Sequence, residues 1–244
     1  MVHRAPVCCV FGKPVAQEES LQAVRSLEQH IVHVLGAESL DRWTVEVAYK
    51  LKQKKKKAMG SEMKFGVNVS APFIGMKRDE GSDYPYAKHY CVRRSDRGTR
   101  VLVVQEMAEE PQGGSSLPEG KLAHVLEGTD DLEAVLAAKA GLVTRLKATV
   151  DGHAYRLGDF VLRVGSCRKG AVYRGLALEV EYTPCCRVAD GLAMIEAFLP
   201  SIDEDGTFAP TSNLRDPITF GSNTQFSVKH TALQITDLFN KVFV

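Results

Sequence analysis

The sequence predicts an α+β fold built around an antiparallel sheet, and three observations carry that expectation. Apolar and polar residues alternate in several stretches, as where Trp43, Val45, Val47, Tyr49 and Leu51 interleave with Thr44, Glu46, Ala48 and Lys50; this is the period of a half-buried strand. Other segments repeat apolar residues at helical spacing. Connections among the later strands are short, which favours antiparallel neighbours over crossover units. About eight or nine strands and four helices result, and a β-barrel or strongly curled sheet flanked by helices is the expected architecture.

In chain order, the apolar run Val7 to Phe11 predicts a buried strand. Ser20 is placed as the N-cap of a first helix carrying Leu21, Val24, Leu27, Ile31, Val34 and Leu35, with Gly36 as its stop. The strand around Trp43 to Leu51 follows, then a similar alternation through Met63, Phe65, Val67 and Val69. Further strands are predicted at His89 to Arg93, Arg100 to Gln105 and Leu122 to Leu126, with Met107 to Gly120 a Gly-, Ser- and Pro-rich loop. Thr129, Asp130 and Asp131 open a second helix, the acids lying near its positive end, and Gly141 closes it. A dense β region covers Leu142 to Val150, Gly158 to Gly165 and Tyr173 to Tyr182. Asp190 is placed as the cap of a third helix holding Leu192, Ile195, Phe198 and Leu199, and Pro200 follows its end. Ser201 to Thr224 reads as a loop, and Ala232, Ile235, Leu238, Phe239 and Val242 mark a closing amphipathic helix. The organisation expected is a single β-barrel domain over residues 1–244 with polar loops near 51–62, 107–120 and 201–224.

Bulk properties narrow the function classes. The 244 residues, 44% hydrophobic and 25% charged, suit an ordinary globular core. A net charge of +1 gives no general attraction to nucleic acid or membranes. No apolar run reaches the ~18 residues of a membrane span, and the first residues carry no apolar core of a secretory signal. The six cysteines, Cys8, Cys9, Cys91, Cys167, Cys185 and Cys186, form no C-x-x-C and are expected to be mostly buried thiols in a reducing compartment.

Chemistry is sparse. Glu179 and Glu181 lie two apart on a strand and so share a face. Antiparallel pairing with the preceding strand puts Asp159 and Arg163 on that face too, which predicts a solvated strand face with a cross-strand ion pair. The competing expectation is a divalent-metal site for phosphate chemistry, but the chain has no second Glu-x-Glu and no lysine two residues past Glu181, where Thr183 stands. Lys50, Lys52 and Lys54 to Lys57 place six lysines within eight residues. No aromatic residue is interleaved, so base stacking is not indicated and a solvated hairpin loop is expected. His30 and His33, or His89 with Cys91, are two groups each and do not complete a metal set. No catalytic, cofactor or metal residues are assigned.

Several strings, however, resemble one family. The run GDFVLRVGSCRKGAVYRGLALEVEYTPC (Gly158 to Cys185) is similar to the V-G turn, R-G and V-E-Y-x-P-C pattern of the subunit 20 family of the Mediator transcription coactivator. VCCVFGKPVAQEESLQAV with HVLGAE, then LAMIEAFLPSI, then ITDLFNK match other stretches of that family in the same order. The resemblance implies an antiparallel barrel of about eight strands and a non-enzymatic, nuclear subunit of the Mediator head module. It implies direct pairing with subunit 18, a tethering helix from subunit 8, and indirect contact with other head-module subunits and RNA polymerase II. No cofactor, membrane partner or direct nucleic-acid contact is implied. That barrel is similar in architecture to triphosphate-tunnel enzymes, so the alternative expectation is a metal-dependent triphosphate hydrolase using Glu179 and Glu181.

Overall fold

A computed structural model describes residues 5–15, 17–52, 86–107, 123–211 and 225–243. The strands are β1 (Val7–Pro14), β2 (Glu38–Lys52), β3 (Tyr86–Arg94), β4 (Arg100–Met107), β5 (Ala123–Thr129), β6 (Leu142–Leu157), β7 (Phe160–Lys169), β8 (Val172–Tyr182) and the two-residue β9 (Ala209–Pro210). The helices are α1 (Gln17–Gln29), continued as a π-helical turn over His30–Val34, then α2 (Asp130–Ala140), α3 (Val188–Phe198) and α4 (Val228–Phe243). No helix among the described residues is long and apolar enough to cross a membrane. All strands join one sheet in the order β5-β4-β3-β2-β6-β7-β8-β1-β9, and every pairing is antiparallel.

Both faces of this sheet are covered. Val7 on β1 meets Gly191 of α3, whereas Gly12, of opposite parity, meets Leu238 of α4. α3 and α4 therefore lie on opposite faces. α1 packs with α3's face, over β7 and β8, while α2 crosses β4, β5 and β6. A Cβ on Gly12 would stand 2.6 Å from Leu238 Cδ1, so glycine is what lets α4 approach β1. The main core lines both sides of β1, β7 and β8, with Val7, Leu162, Leu178, Val180, Ile195 and Phe226 fully inaccessible.

Among the described residues the predicted barrel does not close. The sheet is open, with β5 and β9 at its two edges. α4 explains why. It touches β1 at one end of the sheet and β3, β4 and β5 at the other, so the helix fills the space that a closing strand pair would need. Its polar residues clamp both sides. The Gln234 carboxamide accepts from Val10 N–H at 2.8 Å and donates to the Cys8 carbonyl at 2.9 Å. It thereby makes two of the ladder bonds a neighbouring strand would have made to β1. Thr211, just past β9, satisfies the Val10 carbonyl through both its N–H and its hydroxyl, each at 2.9 Å. At the far side the Tyr90 hydroxyl donates to Asn240 at 2.9 Å, and Phe239 sits edge-on to the Tyr90 ring with centroids 5.7 Å apart.

Two helix starts differ from expectation. α1 begins at Gln17, so Ser20 lies inside it rather than capping it. α3 is capped at Arg187, and Asp190 sits in its first turn. Gly36 and Gly141 do terminate their helical segments, at φ 72 and 63, in the left-handed region that glycine enters without strain. The strand predicted through Met63 to Val69, the loop predicted over 107–120 beyond Met107, and most of the loop predicted over 201–224 lie outside the described residues. Within the last, residues 209–210 form the edge strand β9.

Candidate functional site

The carboxylate pair falls in the most densely charged part of the interior. On β8, Glu179 pairs across the ladder with Arg163 of β7 and with Val10 of β1. The expected opposition of Arg163 and a glutamate is therefore present, but the expected wet face is not. Glu179 is 1% exposed, because its face is the concave one that α4 covers. Asp159 does not belong to it; the residue lies in the turn between β6 and β7.

The decisive partner is Arg94 at the end of β3. Its guanidinium forks onto Glu179 with two bonds of 2.8 Å and reaches Asp96 with two bonds of 2.9 Å. Arg163 donates to Glu179 at 2.6 Å and Glu181 at 2.8 Å, and lies 3.5 Å from Asp96. In the sheet order β3 and β8 are separated by β2, β6 and β7. In a flat sheet that is a separation of about 19 Å. Direct contact between Arg94 and Glu179 therefore requires the sheet to curl, and the ion pair braces the curl from inside.

Electrostatically the cluster is self-contained. Burial raises the Glu179 carboxyl, but the fields of Arg94 and Arg163 and the Arg94 hydrogen bonds outweigh it and hold the group below its usual range. Asp96 is likewise pushed up by burial and brought down further by Arg94, to about 2. Desolvation opposes the charge on Arg94 and Arg163, yet their acidic neighbours raise both. Buried arginines forked onto carboxylates are the charge-assisted, geometrically specific kind of hydrogen bond.

This arrangement does not suit the metal chemistry considered for Glu179 and Glu181. Their oxygens already accept from guanidiniums, and no group of three His, Cys, Asp or Glu among the described residues could hold a metal ion. The other charge and thiol features resolve structurally. Lys50 belongs to β2, is buried, and pairs with Glu133 of α2; the solvated loop expected for the lysine run lies, for residues 53–57, outside the described residues. His30 meets the Ser201 carbonyl at 2.9 Å, and His89 and Cys91 are both buried. Cys8, Cys9, Cys91 and Cys167 are buried thiols, as expected, while Cys185 and Cys186 are half-buried.

Two residues that hold the concave face together, Arg94 and Gln234, were not singled out from sequence. Each carried a signal. Arg94 follows Tyr90 and Val92 on the apolar parity of β3, and Gln234 sits on α4 between Thr231 and Leu238, at helical spacing from both and on the buried stripe. A polar side chain on an apolar face announces a buried partner.

The family described as "TATA-binding related factor (TRF) of subunit 20 of Mediator complex" matches residues 5–240. Mouse Mediator of RNA polymerase II transcription subunit 20 is 24% identical over 241 residues, covering 97% of this chain and 93% of the mouse protein. A protein of Pyrococcus horikoshii OT3 superposes with a TM-score of 0.42 at 11% identity, over 83% of this chain and 94% of that one. A chain of the Schizosaccharomyces pombe Mediator head module superposes with a TM-score of 0.38 at 13% identity, over 81% of this chain and 92% of that one. The family match runs over nearly the whole sequence, and the chain belongs to the Mediator subunit 20 family.

Proposed function

We propose that the chain is a non-enzymatic scaffold subunit of the Mediator transcription coactivator, acting in the nucleus through its protein surfaces. The observation that carries this reading is the family match from residue 5 to residue 240. The interior agrees with it: the strongest constellation of charged groups is spent on bracing the sheet, with Glu179 and Glu181 held by Arg94 and Arg163. Within Mediator, the finer proposal is a head-module subunit paired directly with subunit 18, tethered by a helix of subunit 8, and in contact with RNA polymerase II only through the larger assembly.

Affinity purification of the tagged full chain from its own cells tests the first level. Mediator subunits should co-elute at near-equal stoichiometry; elution of the folded chain alone would refute the assignment. Binary reconstitution tests the second level. Subunit 18 should co-migrate with the chain on gel filtration, and addition of the subunit 8 helix should tighten the complex. Purified Mediator containing the chain without a direct subunit 18 contact would overturn only the finer proposal. Among the described residues, nothing in the geometry supports the triphosphatase alternative.

A further inference from the structure

Away from the concave face, the sheet carries a second, smaller apolar cluster made of Ala48, Cys91, Val101 and Val103, against which Leu126, Leu132 and Leu136 pack. Its cover is α2, the connection from the edge strand β5 to the central strand β6. No residue of α2 is fully buried, and Val135 is 45% exposed. The helix is attached chiefly by charge. Glu133 commits one carboxylate oxygen to Lys50 of β2 and the other to Arg93 of β3. Arg93 also reaches Asp130 at 3.0 Å. The cations beneath are fixed on the sheet, and Lys50 is only 5% exposed at its side chain.

We propose that α2 is an ion-pair latch: a lid over the Ala48–Cys91–Val101–Val103 strip that opens as a unit while the main core stays folded, with Glu133 as the residue that holds it shut. The physical basis is the imbalance of its attachments. Only Leu132 and Leu136 reach the apolar strip, so little apolar area opposes opening. Neutralising Glu133 removes both charge contacts and leaves Lys50 under the lid without that carboxylate, a state relieved by letting water in. Asp130 contributes less, since its side chain is 59% exposed. The left-handed Gly141 at one end of α2, with φ 63, lies at the junction about which the lid would move.

Cys91 reports on the lid because it lies directly beneath it, while Cys167, equally inaccessible, belongs to the main core. The test is thiol labelling of the native full chain, resolved by peptide mass spectrometry, in wild type, Glu133→Gln and Asp130→Asn. Labelling of Cys91 should accelerate about tenfold or more in Glu133→Gln and about twofold in Asp130→Asn, with Cys167 unchanged in both. Equal acceleration at Cys91 and Cys167 in both variants would mean global opening and would overturn the latch. So would a Cys91 rate indifferent to both substitutions.

Discussion

Replacing Arg94 by Met removes the brace between β3 and β8 while keeping most of the side-chain length. Four hydrogen bonds are lost, two to Glu179 and two to Asp96. Glu179, 1% exposed, is left with Arg163 as its cationic partner. Breaking a buried pair by removing one partner costs about 3–5 kcal/mol. The remaining Arg163 contact and the partial exposure of Asp96 favour the low end, about 3 kcal/mol. Urea denaturation followed by circular dichroism should show the midpoint fall by roughly 1–1.5 M with an unchanged slope, given m values of about 2–3 kcal/mol/M. Glu179→Gln completes a double-mutant cycle, and its coupling to Arg94 should exceed about 1 kcal/mol. A loss below about 0.5 kcal/mol in Arg94→Met, or additivity in the cycle, would refute the idea that this pair holds the curl.

The same cluster sets the acid limb of stability. Glu179 and Asp96 bind protons less tightly in the folded chain, so their contribution is fully present above the unfolded carboxylate range and is lost as pH falls, for Asp96 from its ordinary 3.8 toward about 2; a denaturation series across that window should be shallower in Arg94→Met than in wild type. Gln234→Leu strands the Val10 N–H and the Cys8 carbonyl and should cost about 2–4 kcal/mol, with faster exchange of the Val10 amide by NMR. Gly12→Ala drives a Cβ to 2.6 Å from Leu238 Cδ1; a loss of about 1–3 kcal/mol in thermal unfolding is expected, largely restored in combination with Leu238→Val. Arg42→Ala, by contrast, breaks a pair whose arginine is 69% exposed, and its unfolding midpoint should be indistinguishable from that of wild type.

The contrast between Arg42 and Arg94 shows where sequence reading runs out. Strand positions were legible because period-two alternation is local: β2, β3, β4, β7 and β8 fall where Trp43, Tyr90, Val101, Leu162 and Leu178 mark one parity of each. Cross-strand opposition was legible too, since a short β7–β8 connection fixes Arg163 against Glu179. What local pattern does not encode is which layer returns to cover a face. The alternation of Leu178 and Val180 with Glu179 and Glu181 is what a one-sided antiparallel sheet would show. Here the polar parity is buried as well, because α4, which begins only at Val228, far along the chain from the end of β8 at Tyr182, lies over it.

The failure of barrel closure has the same origin. Closure requires the two edges to meet in register along several residues, and alternation in β1 and β5 is silent on what each edge bonds to. In this chain the β1 edge is met by a carboxamide, a threonine and a two-residue strand, none of which has a strand's periodicity. A helix carrying Gln234 toward β1 and Asn240 toward Tyr90 occupies the gap instead. The curl then needs holding where no ladder spans it, and Arg94 with Glu179 supplies a bond across the concave face, between the interior strands β3 and β8. The buried charge thus follows from the curl: the groups that looked like a catalytic pair stand on interior strands that the curl brings face to face, with their carboxylates already held by arginine.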